Sequence, residues 1–491
     1  MKTVVKIDPD KEYNTAKCVL NAVLVGDAQE ADLPVLDKSI DNLKTVIDVL
    51  RERLGPKRRK RPPKKTNRDR TRKRKKDDEE RIKLPSEKFP DLEIEEKIVR
   101  EEDTPSCVCC KAEMRESGLY KTSEKLEVIP KKYHIIRTQR IIYNCSNCHG
   151  SLRNAKALPS IIPKSNYGDS LIIDIALSKY ADLIPIERQS SIISREGLID
   201  IPANSMIDTT HALARFFKFT YEKIKIEVIK SLVLRCDETP HKMLEGDEKR
   251  NWYLWGFFSE IACYFEARDT RSGDIPLEFL KLSQAIYLLT DGYAGYKKAL
   301  DSLKKEEGRI VTPVFCNAHA FRYFEEASVN WASEAETFLS LYGEIYELER
   351  QTTVDEEKRL ARQEMLPLFK EMAEKCEEVK ASLMPHSSIS KAVNYFLNHY
   401  EGLTECTKST NLSLDNNSSE RSLRSPVVGR KTWYGTHSKR GASTNAILFS
   451  IVESCKINRI NPRRYFPDMV ERIHQGKEPL TPYEYATFDS G

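Results

Sequence analysis

Three carboxylates stand where a chain of this kind does chemistry. Asp237 closes the apolar run Ser231-Leu-Val-Leu-Arg-Cys-Asp237, and Asp291 closes Ala285-Ile-Tyr-Leu-Leu-Thr-Asp291. The carboxyl ends of strands are where an open α/β sheet builds its sites, because a buried strand fixes the position of the residue that ends it. Glu420 lies in Asn417-Ser-Ser-Glu420-Arg421-Ser-Leu-Arg424. Helical spacing there puts Asn417, Glu420 and Arg424 on one face, with Arg421 adjoining. Two Asp and one Glu brought together repel one another unless hard cations sit between them, and Mg²⁺ (or Mn²⁺) takes oxygen ligands. Two such ions about 3.5–4 Å apart serve an in-line phosphoryl displacement. Taken singly, each carboxylate reads equally as a turn aspartate or a solvated Glu–Arg pair.

Placing these groups requires a sheet. Aromatic-rich runs at 251–259 and 261–268 follow Asp237 as strands, and 309–315 follows Asp291 before a helix at 317–326. Three adjacent strands followed by alternating strand and helix predict an α/β sheet of mixed direction. The spacing assigns 231–326 and 403–450 to this core, 327–402 to a helical insertion and 451–491 to a C-terminal segment. Residues 165–230 read as helices at 171–180, 186–194 and 204–229. The join near Gly197 and Pro202 reads as a helix-turn-helix or as a plain helical bundle packing on its neighbour.

The N-terminal third carries other signals. Two Cys-x-x-Cys pairs, Cys107/Cys110 and Cys145/Cys148, lie within 103–152. Strands at 125–129 and 133–143 between them make a ribbon, in which four thiolates suit a closed, structural Zn²⁺ site. Cys109 and His149 are alternative ligands. Leu36, Ile40, Leu43, Ile47, Leu50 and Leu54 are spaced 4, 3, 4, 3, 4 within 33–55. That is an a/d seam for a short dimerising coiled coil, or one amphipathic helix on the chain's own core. A basic linker at 56–80 follows, expected to be disordered when free. Its segment 57–76, including Arg58, Arg59 and Arg61, holds 14 Lys or Arg and one Asp. The net charge of +5 therefore hides a body of 66 basic and 74 acidic residues, a remainder of −8. A local polycation on a mildly acidic body points to a polyanionic partner, nucleic acid first. With 40% hydrophobic and 32% charged residues, a wholly disordered protein is excluded. No apolar run reaches the ~20 residues of a membrane span, and Met1 to Lys11 is too charged for a signal peptide. The expectation is a cytoplasmic, nucleoid-associated protein without a membrane partner.

The ordered motifs Asp237-Glu-Thr-Pro, Thr290-Asp291-Gly-Tyr, Cys316-Asn-Ala-His319-Ala-Phe-Arg322 and Asn416-Asn417-x-x-Glu420-Arg421-x-Leu-Arg424 resemble the transposases of the insertion-sequence-66 family. Gly429-Arg-Lys431-x-Trp433, Gly441-Ala442 and Asn461-Pro-x-x-Tyr465 extend the resemblance, which covers roughly 33–475. It implies a ribonuclease-H-like core with Asp237, Asp291 and Glu420 as a DDE triad holding two Mg²⁺ or Mn²⁺ ions. The implied reaction is cleavage at transposon ends and attack of the 3′-OH on target DNA. Arg421 and Arg424 would contact phosphates or orient Glu420. Lys431, Lys439 and Arg440, with the basic tract, would contact the backbone of double-stranded DNA. A homodimer or higher assembly, element-encoded accessory proteins and a bacterial or archaeal host fit the same picture. Two departures stand out: the first knuckle reads Cys-Val-Cys-Cys-Lys where the family has Pro and Gly, and Asn317 and Phe321 replace Trp and Arg. His319 reads equally as catalytic or as a packed structural residue. A non-catalytic zinc regulator derived from a transposase, and a ribonuclease-H-like nuclease, are the alternative functions.

Overall fold

The computed structural model describes residues 84–98, 123–127, 131–144, 152–196, 201–244, 251–352 and 354–489, together with residues 34, 35, 38, 109, 111 and 113. The basic tract and Cys107, Cys110, Cys145 and Cys148 lie outside the described residues. So does the 33–55 seam, except for Pro34, Val35 and Lys38, which are helical. The chain divides into two units, 55–137 and the remainder. In the smaller unit a single helical turn, Pro85–Lys88, is tied by the Ser86 hydroxyl and N–H to the Glu124 carboxylate at 2.9 and 2.8 Å.

The larger unit begins with an exposed hairpin. Strand β1 (Ile142–Asn144) pairs antiparallel with β2 (Leu152–Asn154). In sequence, β1 lies between the two Cys-x-x-Cys pairs, at the end of the strand expected over 133–143, whereas β2 lies beyond the second pair. Residues 123–127 and 131–141 carry no strand, contrary to the ribbon strands expected there. Four helices follow: α1 (Asp169–Tyr180), α2 (Ile186–Arg195), α3 (Ala203–Phe216) and α4 (Lys218–Ile229). The single helix expected at 204–229 is therefore two. It breaks at Phe217, whose φ of −91° and ψ of 11° leave the helical range while its ring is wholly buried.

Five strands form the central sheet: β3 (Val233–Lys242), β4 (Asn251–Phe258), β5 (Cys263–Arg268), β6 (Tyr287–Thr290) and β7 (Thr312–Phe315), in the order β5-β4-β3-β6-β7. The first three are antiparallel, and β6 and β7 join parallel to β3. Helix α5 (Asp274–Leu282) precedes β6, and α6 (Ala294–Glu307) links it to β7. Asp237 does not end β3, as its apolar run suggested. The strand continues to Lys242 against β4, with Thr239 and His241 buried. Pro240 is tolerated because β3 has lost its β6 neighbour there and behaves as an edge.

Side chains alternate between two cores. Leu234, Cys236 and Leu288 enter a core with Trp255, Phe257 and Phe265. Leu289 and Val314 enter the other, with Val233 packed against it. Each fully buried large apolar side chain is worth about 1.5–3 kcal/mol. The second core is supplied by α7 (Asn317–Ala327), α8 (Ala332–Gln351), α9 (Asp355–Lys380) and α10 (Ser388–Thr404). The last three occupy the span 327–402 that the sequence reads as helical. Helices α11 (Asn417–Trp433), α12 (Lys439–Ile457), α13 (Pro462–His474) and α14 (Pro482–Asp489) complete the unit. Helix α12 packs Phe449, Ile451 and Val452 into the first core. Among the described residues, no helix is long and apolar enough to cross a membrane.

Candidate active site

The β3–β6 ladder pairs Val233 with Tyr287, Leu234 with Leu288 and Arg235 with Leu289, and stops. Carrying that register two residues further sets Asp237 beside Asp291, on neighbouring strands that run about 4.8 Å apart. Parity also agrees. Val233 and Leu289 face the insertion, so residues 237 and 291 continue along that side. Asp237 stays rigid because β4 still holds it, opposite Gly256.

Asp291 is held by a turn. Its carboxylate accepts the Tyr293 N–H at 2.9 Å, and its carbonyl accepts the Tyr395 hydroxyl of α10 at 2.6 Å. Gly292 takes φ +88°, and a Cβ there would lie 2.9 Å from His399 Nε2. The turn thus needs glycine for both its conformation and its fit against the insertion.

Glu420 sits in the first turn of α11. Arg322 Nη2 donates to its Oε2 at 2.7 Å, and His319 Nδ1 lies 3.6 Å from its Oε1. Both partners come from α7. The start of that helix is pinned by the buried Asn317 amide, which donates to the Leu403 and Leu414 carbonyls at 3.0 and 3.1 Å. The Cys316 thiol accepts the Asn416 N–H at 3.2 Å, and burial pushes it up to about 11, so it stays neutral. Asn317, where Trp was expected, is therefore a structural clamp. Phe321 packs edge-on against Tyr342 and Tyr346.

The electrostatics tie these pieces together. The Asp237 carboxyl is pushed up from 3.8 to about 8, first by burial and then by the charges of Glu238, Asp291 and Glu420. Burial depresses His319 below its ordinary range, with Glu420 pulling the other way. Among the described residues, four buried atoms near the start of α11 and in α7 make no hydrogen bond: His319 Nδ1, Asn416 Oδ1, Ser419 Oγ and Glu420 Oε1. Unsatisfied oxygens beside mutually repelling carboxylates are the donor set a hard divalent cation satisfies. Among the described residues, the group whose ligand atoms all lie within 4.8 Å of one another is Cys316, His319 and Glu420, not the three carboxylates. Glu420 is turned toward Arg322 and His319.

The family model "Transposase IS66 family" matches residues 164–444, more than half of the chain. The chain belongs to the IS66 transposase family. A second family model, the zinc-finger binding domain of transposase IS66, matches residues 104–149 and takes in both Cys-x-x-Cys pairs. Similar chains include the uncharacterized proteins y4hP and y4jD of Sinorhizobium fredii. They are 28% identical over 411 residues (78% of this chain, 73% of the relative) and 25% identical over 405 residues (79% and 78%).

On this IS66 chain the expected basic contacts fall in two groups. Arg421, Arg424 and Lys431 are exposed and spaced along one ridge of α11 that begins beside Glu420. Arg421 and Arg424 form no hydrogen bond or ion pair among the described residues, so Arg322, not they, orients Glu420. Lys439 and Arg440 open α12, and Arg440 lies 3.7 Å from Asp208. Sequence reasoning missed three supports. Glu238, on the opposite face of β3 from Asp237, is buried against the Arg271 guanidinium and the Tyr296 hydroxyl. Arg271 also stacks on Tyr293, 4.1 Å from its ring centre. Tyr395 lies in an insertion with no motif to flag it, whereas Arg322 stood in the His319 motif and was open to being found.

Proposed function

We propose that this IS66 transposase cleaves DNA strands at the ends of its element and transfers the exposed 3′-OH to target DNA, with Asp237, Asp291 and Glu420 as the catalytic carboxylates. What supports the reading is the β3–β6 ladder: its register, continued two residues past its end, would set Asp237 beside Asp291, and the charges of both Asp291 and Glu420 act on Asp237. The sheet order, three antiparallel strands with two parallel additions, supports a ribonuclease-H-like core. The residues fit Mg²⁺ or Mn²⁺, two ions per site, which when bound would activate one phosphodiester oxygen and stabilise another. Asp237, Asp291 and Glu420 would hold them. Asp237 would give up its proton as cations bind, because burial and then its acidic neighbours raise its carboxyl to about 8. Arg322 keeps Glu420 aimed, and β4 and Tyr395 keep the two aspartates in place. The exposed Arg421, Arg424 and Lys431 would track the phosphate backbone, with Lys439, Arg440 and the 57–76 tract adding salt-sensitive affinity.

For the N-terminal region, one Zn²⁺ per chain on Cys107, Cys110, Cys145 and Cys148 would close the zinc-finger domain. Elemental analysis of protein prepared without chelator should find it, and Cys109→Ser should keep it. The test of the catalytic reading is Asp237→Asn, Asp291→Asn and Glu420→Gln on element-end DNA. Each should abolish Mg²⁺-dependent cleavage and strand transfer and leave DNA binding intact. Near-parental cleavage by any correctly folded variant removes that residue from the site.

A further inference from the structure

Beside the Asp291 turn, α7 and α10 enclose an open groove of about 350 Å³ that the catalytic reading does not use. Its wall on α7 is Tyr323, and its floor on α10 is a polar stripe of Ser390, Asn394 and Asn398, with Lys391 at the rim. None of the eight lining residues is acidic, in a chain with 75 Asp and Glu. Three rings run through it as a ladder. Tyr323 and Tyr395 lie 4.6 Å apart, and Tyr395 and His399 stack at 4.3 Å. The ladder ends at the catalytic turn, where Tyr395 donates to the Asp291 carbonyl.

We propose that this groove is a subsite for one unpaired nucleotide of the processed DNA strand, seated next to the scissile phosphate. The inference rests on the transposase reading above and adds the step that precedes chemistry. A phosphate drawn onto Asp237 and Asp291 leaves its neighbouring nucleotide within reach of Tyr323. Aromatic faces accept any base by stacking, and side-chain amides such as those of Asn394 and Asn398 meet the edge of a base that has left the duplex. Lys391 supplies a counter-charge for the flanking phosphate. A carboxylate in the groove would repel the strand, and none lines it. Tyr323 is 37% exposed, so its ring offers a face without rearrangement of the core.

The experiment uses the full chain in Ca²⁺, with a nicked duplex carrying a single unpaired 2-aminopurine beside the nick and a fully paired control. Stacking in the groove should quench the fluorescence of the unpaired probe and make it bind more tightly than the control. Tyr323→Ala should abolish the quench and cut the preference by roughly 5- to 150-fold, the range for losing one base–aromatic stack. Tyr323→Phe should keep both, and Asn398→Ala should weaken the preference. Thermal melts confirm that the variants fold. An unchanged preference in Tyr323→Ala, or equal binding of both probes by the parent, overturns the subsite. Cleavage of element-end DNA in Mg²⁺ by the parent is scored separately. If cleavage stands while the preference is absent, only the subsite fails; if cleavage is absent, the transposase reading fails first.

Discussion

Replacing Asp237 by Asn should make the protein more stable when no divalent cation is present, and increasingly so as pH rises. The folded chain holds the Asp237 carboxyl near 8 against 3.8 when free, because it is buried among Glu238, Asp291 and Glu420. For a carboxyl raised by folding, the sign is fixed. Below about pH 4 both states are protonated and nothing is lost. Between about 4 and 8 the unfolded chain sheds the proton and the folded one keeps it, so stability falls. Above 8 the loss levels off at about 6 kcal/mol, the displacement taken at 1.36 kcal/mol per pH unit. Asn has the shape of the protonated acid and carries no charge at any pH. The variant should therefore gain about 1.5 kcal/mol at pH 5 and about 6 kcal/mol at pH 9. At about 2 °C per kcal/mol for a unit of this size, the melting difference should widen by several degrees across that range. Differential scanning fluorimetry in divalent-free buffer measures it, without chelator so that zinc is kept. Added Mg²⁺ should raise the parent's melting temperature at pH 8 and leave Asp237→Asn unmoved. An equal gap at pH 5 and pH 9 would refute the reasoning, since it would show that Asp237 is not in a crowd of carboxylates.

Other perturbations test separate parts. Arg322→Lys keeps the charge but loses the planar fork that holds Glu420 at 2.7 Å; strand cleavage should fall about tenfold, and parental turnover would show that Glu420 needs no such support. Gly292→Ala forces a β-carbon into a left-handed backbone 2.9 Å from His399 Nε2, so it should cost about 1–3 kcal/mol in urea unfolding, partly restored by His399→Ala. Glu227, pushed up from 4.5 to about 7 by burial, draws stability from the fold as pH rises between those values; Glu227→Gln should remove that slope, worth at most about 3 kcal/mol. Deleting 57–76 should flatten the salt dependence of DNA binding, and an unchanged slope would place the phosphate contacts elsewhere.

What the sequence disclosed follows from what it encodes locally. Apolar runs announced β3, β4, β5 and β6 because β3 and β6 feed two cores and β4 and β5 bury their side chains in the first. The run of helices at 327–402 was equally plain. The end of β3 was misjudged because Pro240 looks like a break, and only the sheet order reveals that its flank is free. The split at Phe217 depends on a ring buried by distant residues, Phe466 among them. The strand expected over 133–143 survives only at its end, as β1, and its partner β2 lies beyond the second knuckle. At the site, the three carboxylates were legible from spacing and motif order. Their supports were legible as residues at most, as Arg322 was in the His319 motif, and not as contacts. Arg322 reaches Glu420 across 98 residues, and Tyr395 reaches Asp291 across 104.

The two-residue overhang past the β3–β6 ladder has a genetic consequence. Whether residue 291 faces its partner depends on an even count from Leu289, and the ladder itself ends before that count begins. An in-frame gain of one codon just after Thr290 would turn the acid away while sparing every paired residue of the strand. A copy with such a lesion would lose its chemistry first and its architecture much later. It would still fold and still present the basic ridge of α11 to DNA. Decaying copies of the element would thus pass through a stage in which they occupy ends without cutting them, and so restrain the intact copies beside them.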